Sequence, residues 1–94
     1  MFKNLDPLLH SQLRLAIISL AVSEGKIDFN RIKEVTAATS GNISIQLKKL
    51  SEAGYISVEK SFKDNYPNTS VRITGKGLNA FENYVNALKQ YIEP

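Results

Sequence analysis

The sequence predicts an α+β domain, mostly α: three helices, a two-stranded β-hairpin and a closing helix, in that order. Three observations carry this prediction. Apolar residues recur at helical spacing in separate segments before and after the middle of the chain. The stretch from Tyr55 to Thr74 instead alternates in polarity and is rich in strand formers around a turn-rich centre. Only the short bend from Thr36 to Gly41 separates the second and third helices. Two helices joined in this way, the later one apolar on one side and polar on the other, form a helix-turn-helix signature.

Each element has its own local reasons. Leu8 to Val22 reads as the first helix, with Leu13, Ala16, Ile17 and Leu20 at helical spacing, Pro7 as a start signal and Gly25 as the stop. Ile27 is placed in a stub of strand. Asp28 then caps a short second helix marked by Phe29, Ile32 and Val35, its carboxylate accepting from the unpaired amides of the first turn. Thr39 or Ser40 caps the third helix, which runs to about Ala53 and is closed by Gly54. The strands of the hairpin are read at Tyr55 to Phe62 and Ser70 to Thr74, leaving Lys63 to Thr69 as its tip. Thr74 caps the last helix, about residues 75–92, with Leu78, Phe81, Val85, Leu88 and Ile92 along one stripe and Tyr84 and Tyr91 widening it.

With 94 residues, 43% of them hydrophobic and 22% charged, the chain is read as one globular domain, 1–94, far from the composition of disordered segments. It has no cysteine, so disulfides, thiolate metal sites and thiol nucleophiles are excluded together. The longest apolar run, Leu15 to Val22, falls well short of the roughly 20 residues that span a bilayer. With no secretory signal pattern at the start, the expected location is the cytoplasm. The acidic residues form no paired-carboxylate or metal-spacing motif, and the single histidine, His10, has no nucleophile near it in sequence. His10 is read as a packing or capping residue, and neither an enzyme nor a cofactor is expected. The net charge of +3 is unevenly distributed. Arg31 to Lys76 holds eight basic and four acidic residues, whereas the flanks hold four basic and five acidic. A positive middle points to a polyanionic partner.

At the residue level, "SGNISIQLKKLSEAGYISVEK" followed by "VRITGKGLNAFENYVNAL" resembles the small winged-helix transcriptional regulators of bacteria and archaea related to the MarR and ArsR groups. The resemblance covers about residues 8–92. Asn42, Ser44, Leu47, Leu50, Gly54, Tyr55 and Ile56 carry it around the third helix, and Thr74, Lys76, Gly77, Ala80, Phe81, Tyr84 and Leu88 carry it after the hairpin. It implies a winged helix-turn-helix that binds double-stranded DNA sequence-specifically, usually as a dimer, with the third helix in the major groove. The hairpin would be a wing on the adjacent backbone or minor groove. Three departures stand out. The cysteine-rich metal box of ArsR-type sensors is missing, little chain remains for the ligand cleft of longer MarR proteins, and the wing has "NYPN" where those proteins often carry an acidic-basic-basic triplet. Winged helices also serve as protein-binding modules, so a protein partner at the same face is the rival reading.

The expected site follows from chemistry at each position. Ile43, Leu47 and Leu50 go to the core, leaving Asn42, Ile45, Gln46 and Lys49 on the other stripe. Gln46 offers its amide to the donor–acceptor edge of adenine, and Asn42 either does the same or holds a phosphate. Ile45 either meets a thymine methyl or packs beneath the wing or against the second helix, and spacing leaves both open. Thr39, Ser40 and Ser44 supply hydroxyls for phosphates at the positive end of the helix, one of them being needed as cap. Lys48, Lys49, Lys60, Lys63 and Arg72 supply charge, with Arg31 and Lys33 in the same basic middle. Lys60 and Arg72 are expected on opposite strands flanking the wing tip, and Tyr66 there is a candidate sugar contact. The apolar stripe of the last helix, Leu78, Phe81, Tyr84, Val85, Leu88, Tyr91 and Ile92, folds back in part on the first helix and is otherwise expected to form a homodimer interface. No effector pocket can be located from these residues.

Overall fold

The computed structural model describes residues 2–94. Its elements are α1 (Gln12–Glu24), β1 (Lys26–Asp28), α2 (Phe29–Thr36), α3 (Ser40–Glu52), β2 (Ile56–Lys63), β3 (Tyr66–Ile73) and α4 (Gly75–Ile92). The three strands form one antiparallel sheet in the order β1-β3-β2. The expected stub at Ile27 is β1, paired through Ile27 with Val71. The arrangement is the expected helix-turn-helix followed by a hairpin wing and a closing helix.

α1 lies at the centre and touches α2, α3, α4, β1 and β3. A helix that is apolar all round is surrounded on several sides. Accordingly Ile17, Ile18 and Ala21 are buried, and Leu13, Leu15 and Leu20 pack against the same core. Ile32 from α2, Ile43 and Leu50 from α3, and Val71 from β3 are fully buried around it.

α1 begins later than Pro7 suggested. Asp6 organises a separate turn first: its carboxylate accepts from the Leu8 amide at 2.9 Å and its carbonyl from the Leu9 and His10 amides at 3.1 and 2.9 Å. That turn buries Leu9 completely. Ser11 then caps the helix proper, and Gly25, at φ +80°, ends it as expected. The caps of α2 and α3 are Asp28, which accepts from the Arg31 amide at 2.8 Å, and Thr39, which accepts from the Asn42 amide at 3.2 Å.

The wing is longer and its turn tighter than expected. Its tip is the two-residue turn Asp64–Asn65, both at positive φ (52° and 66°), a turn geometry whose twist matches that of paired strands. Tyr66, Pro67 and Asn68, read from sequence as part of the tip, lie within β3. Pro67 is tolerated because Lys63–Tyr66 closes the turn as a hydrogen-bonded pair. The next pair, Phe62–Pro67, then makes no ladder bond, and β1 pairs only with Ser70 to Arg72, beyond it.

The base of the wing, the end of α3 and the start of α4 meet at one junction. Gly54, at φ +79°, closes α3. The Thr74 hydroxyl donates to the Gly54 carbonyl at 2.7 Å and accepts from the Gly77 amide at 3.0 Å, while the Thr74 amide donates to the Tyr55 carbonyl at 3.2 Å. At Gly77 a Cβ would collide with the Tyr55 backbone carbonyl. The Tyr55 hydroxyl in turn donates to Asp6 at 2.5 Å. That hydrogen bond first, then burial and the carboxylate charge, pushes the phenol up to about 12.

Gly77→Ala destabilises by about 1–3 kcal/mol in denaturant unfolding despite the ~1 kcal/mol that alanine offers a helix, because the obstacle is backbone and cannot swing aside. Gly75→Ala, with open space around it, is neutral or stabilising. The folded state holds the Tyr55 proton more tightly than the unfolded state, so this contribution is complete below pH 10 and is lost as pH rises towards about 12. The gap in thermal stability between the native chain and Tyr55→Phe should close over that window; a gap independent of pH would refute the assignment.

Candidate nucleic-acid interface

The helical period sends Ile43, Leu47 and Leu50 of α3 inward, and all three are buried. Asn42, Ser44, Ile45, Lys48 and Lys49 are left exposed on the outside. Ile45 is 55% exposed and is not among the side chains packed against the core. Thr39 supplies the cap, and Ser40 and Ser44 keep exposed hydroxyls near the helix start.

Between α3 and the wing runs an open groove of about 370 Å³ lined by Ser44, Lys48, Ser51, Lys60 and Thr69 above Leu47, Val58 and Phe29. The register explains its chemistry. Val58, Lys60 and Phe62, with their partners Val71, Thr69 and Pro67, share the sheet face that also carries buried Ile56 and therefore face the α3 side. The polar members of the groove are lysines and hydroxyls, a set suited to phosphate oxygens. Among the described residues neither lysine has a salt-bridge partner.

The same register separates residues expected together. Lys63 pairs with Tyr66 and Arg72 with Ser57, which puts Lys63 and Arg72 on the sheet face opposite Lys60. Arg72 also lies between Ser57 and Lys26 at the base of the wing, six residues from Tyr66, and so does not flank the tip. Lys63 instead lines a shallow hollow with Lys26, Asp28, Asn68 and Ser70. At the far end of the wing Phe62 and Tyr66 are 79% and 74% exposed.

Two further residues differ from expectation. Arg31 is held by Glu24, Nη2 to Oε2 at 3.0 Å, with Nε 3.3 Å from each carboxylate oxygen, so its charge is locally neutralised. That hydrogen bond, then the Glu24 charge, raises the Arg31 pKa. Gln46 is half-buried and its amide is engaged at both ends: Oε1 accepts from Arg14 Nη1 at 2.6 Å and Nε2 donates to Asn42 Oδ1 at 2.8 Å. Each end of the amide thus has one of its two hydrogen bonds made within the chain. Arg14 was not foreseen, although a signal existed: it is the one formally charged residue between Asp6 and Glu24 in an otherwise apolar segment. A lone charge there needs a partner.

The apolar stripe of α4 is divided by the fold. Tyr84, expected at a dimer interface, is 5% exposed and its hydroxyl lies 3.0 Å from His10 Nδ1, so it belongs to the core and gives His10 its packing role. Phe81 and Leu88 pack against the same core. Tyr91 is stacked on Phe2 at 4.7 Å between ring centroids and bonded to the Lys3 carbonyl. Leu78 and Ile92 remain 38% and 71% exposed, with Val85 half-buried between them.

Among the described residues, no cluster of His, Cys, Asp and Glu could hold a metal, and no helix is long and apolar enough to cross a membrane. An uncovered polar helix face beside a basic wing groove is the architecture of a DNA-binding domain. The chain belongs to the winged helix DNA-binding domain family, whose profile matches residues 13–92, a family of binding domains and not of enzymes. It is 36% identical over 81 residues to an uncharacterized protein of Methanocaldococcus jannaschii, covering 86% of this chain and 88% of that one. Its fold is similar to that of a transcriptional regulator homologue from Pyrococcus horikoshii OT3, with a TM-score of 0.84, 28% identity and coverage of 92% and 85%. A MarR mutant from E. coli shares the fold at a TM-score of 0.76 and 18% identity, over 89% of this chain and 61% of that one.

Proposed function

We propose that this chain is a sequence-specific, double-stranded DNA-binding transcriptional regulator that places α3 in the major groove. The observation that carries the reading is the outer face of α3, which the rest of the chain leaves uncovered. Asn42, Ile45 and Lys49 point outward there, and the Lys48–Lys60 groove lies alongside, where a phosphate backbone would run. Ile45 suits a thymine methyl. Thr39, Ser40 and Ser44 stand at the positive end of the helix, where phosphate is favoured. Lys63 and Arg72 serve backbone contact only from the other side of the wing. Family membership and the regulator homologue of Pyrococcus support the same reading. The binding of another protein at this face, the rival reading, gains no support from the donor-rich groove.

The regulator acts as a homodimer. Leu78, Val85 and Ile92 recur at intervals of seven on α4, a line of apolar side chains that the chain itself does not fully cover. Two-fold pairing along it would hold two copies of α3 about 34 Å apart, one turn of duplex.

Duplex affinity should fall steeply between low and physiological salt, with Lys48→Ala and Lys60→Ala each weakening all duplexes alike and reducing the log–log salt slope by about 1. Affinity that ignores salt would rule out the phosphate groove. In sedimentation, the native chain should run at twice its mass and a Leu78→Asp/Ile92→Asp double variant at its monomer mass with helicity retained. A native monomer would end the dimer proposal.

A further inference from the structure

The outer half of the wing, from Lys60 to Lys63 and from Tyr66 to Thr69, is a two-stranded ribbon, because β1 pairs only with Ser70 to Arg72 below it. It holds two aromatic side chains in water, Phe62 at 79% and Tyr66 at 74% exposure. The register gives them different faces. Phe62, opposite Pro67, continues the row of Val58 and Lys60 on the α3 side, whereas Tyr66, opposite Lys63, stands on the outer side. The fold makes little use of the Phe62 ring, which lies outside the hydrophobic core and is almost wholly uncovered. A phenyl ring kept in water forgoes the free energy of burial until a partner covers it.

The position of the ring identifies that partner. Lys60 lies in the groove beside α3 with Lys48, where a phosphate backbone would run. Phe62 is two residues farther out on the same face, about 7 Å at the rise of an extended strand. With α3 in the major groove, the space just beyond that backbone is the adjoining minor groove, about 6 Å wide. Lys60 on the same face and Lys63 on the other, neither in a salt bridge among the described residues, draw the ribbon towards phosphates on both sides. Two copies of the chain meeting at this tip would instead set these lysines against one another. A phenyl ring has no donor or acceptor for base edges. What an apolar side chain does in the minor groove is enter between two base pairs, partly unstack them and bend the duplex towards the major groove. We infer, on the DNA-binding reading above, that Phe62 is a minor-groove wedge that kinks the duplex beside the α3 contact. Such a kink costs least at pyrimidine–purine steps, so the wedge adds a sequence preference at a position that no hydrogen bond reads.

The test uses the full chain on duplexes enriched from a random library and labelled at their two ends with donor and acceptor dyes. The native chain should bend them by about 20–90°, read as a shortened distance between the dyes. Phe62→Ala, with native helicity, should bind about 5-fold or more weakly, the scale of an aromatic side chain stacked on a base, and leave the duplex straight. Its log–log salt slope should stay that of the native chain, because no charge is removed, in contrast to Lys60→Ala. Phe62→Leu, another apolar wedge, should retain part of the bend, and Tyr66→Ala, comparably exposed on the other face, should retain all of it. A native chain that leaves the duplex straight overturns the wedge, as does a bend that survives in Phe62→Ala or is lost instead in Tyr66→Ala. A fall from dimer to monomer mass in Phe62→Ala would assign the ring to a contact between copies and overturn the wedge too. These results leave α3 in the major groove; failure of the native chain to bind any duplex overturns both readings.

Discussion

The structure depends on one close contact, the approach of Gly77 to the Tyr55 backbone. No side chain fits between them, so the first turn of α4 lies directly against the turn that ends α3. Thr74 secures this contact by capping α4 through the Gly77 amide while donating to the Gly54 carbonyl. The end of α3, the base of the wing and the start of α4 thus meet within a few residues. An interface built from α3 and the wing requires a fixed angle between them, and this junction sets it. Any dimer formed through α4 would position both α3 helices through the same joint.

Charge is less free in the folded chain than composition implies. Of the basic residues in the middle of the sequence, Arg31 is neutralised by Glu24 on the far end of α1. Arg14, from outside that middle, is instead carried to the edge of α3. Lys48 and Lys60 come to one groove from separate elements, whereas Lys63, only three residues from Lys60, faces the opposite way because side chains alternate along a strand. The positive surface is therefore set by helix packing and strand register, not by clustering along the chain.

The wing shows how a local irregularity is accommodated. Positive φ at Asp64 and Asn65 allows a two-residue turn, which fixes the register and lets Pro67 sit at a position that needs no amide hydrogen. A longer tip, as the density of turn-forming residues suggested, would have shifted that register. A one-residue slip would move Val58 and Val71 from the core face to the outer face.

By itself the sequence determined what interactions within a few residues can decide. The caps at Asp28 and Thr74, the glycine stops at 25 and 54, the order of elements and the inward stripe of α3 all follow from helical period, capping and turn chemistry, and all are present. Tertiary structure decided the rest, because the determining partners are distant in the chain: Arg14 and Gln46 are 32 residues apart, Asp6 and Tyr55 are 49, and His10 and Tyr84 are 74. Periodicity could assign Gln46 to a polar stripe and Tyr84 to an apolar one. Only packing could turn the first amide inward to a guanidinium and bury the second against an imidazole, since a side chain's availability depends on what the fold brings beside it.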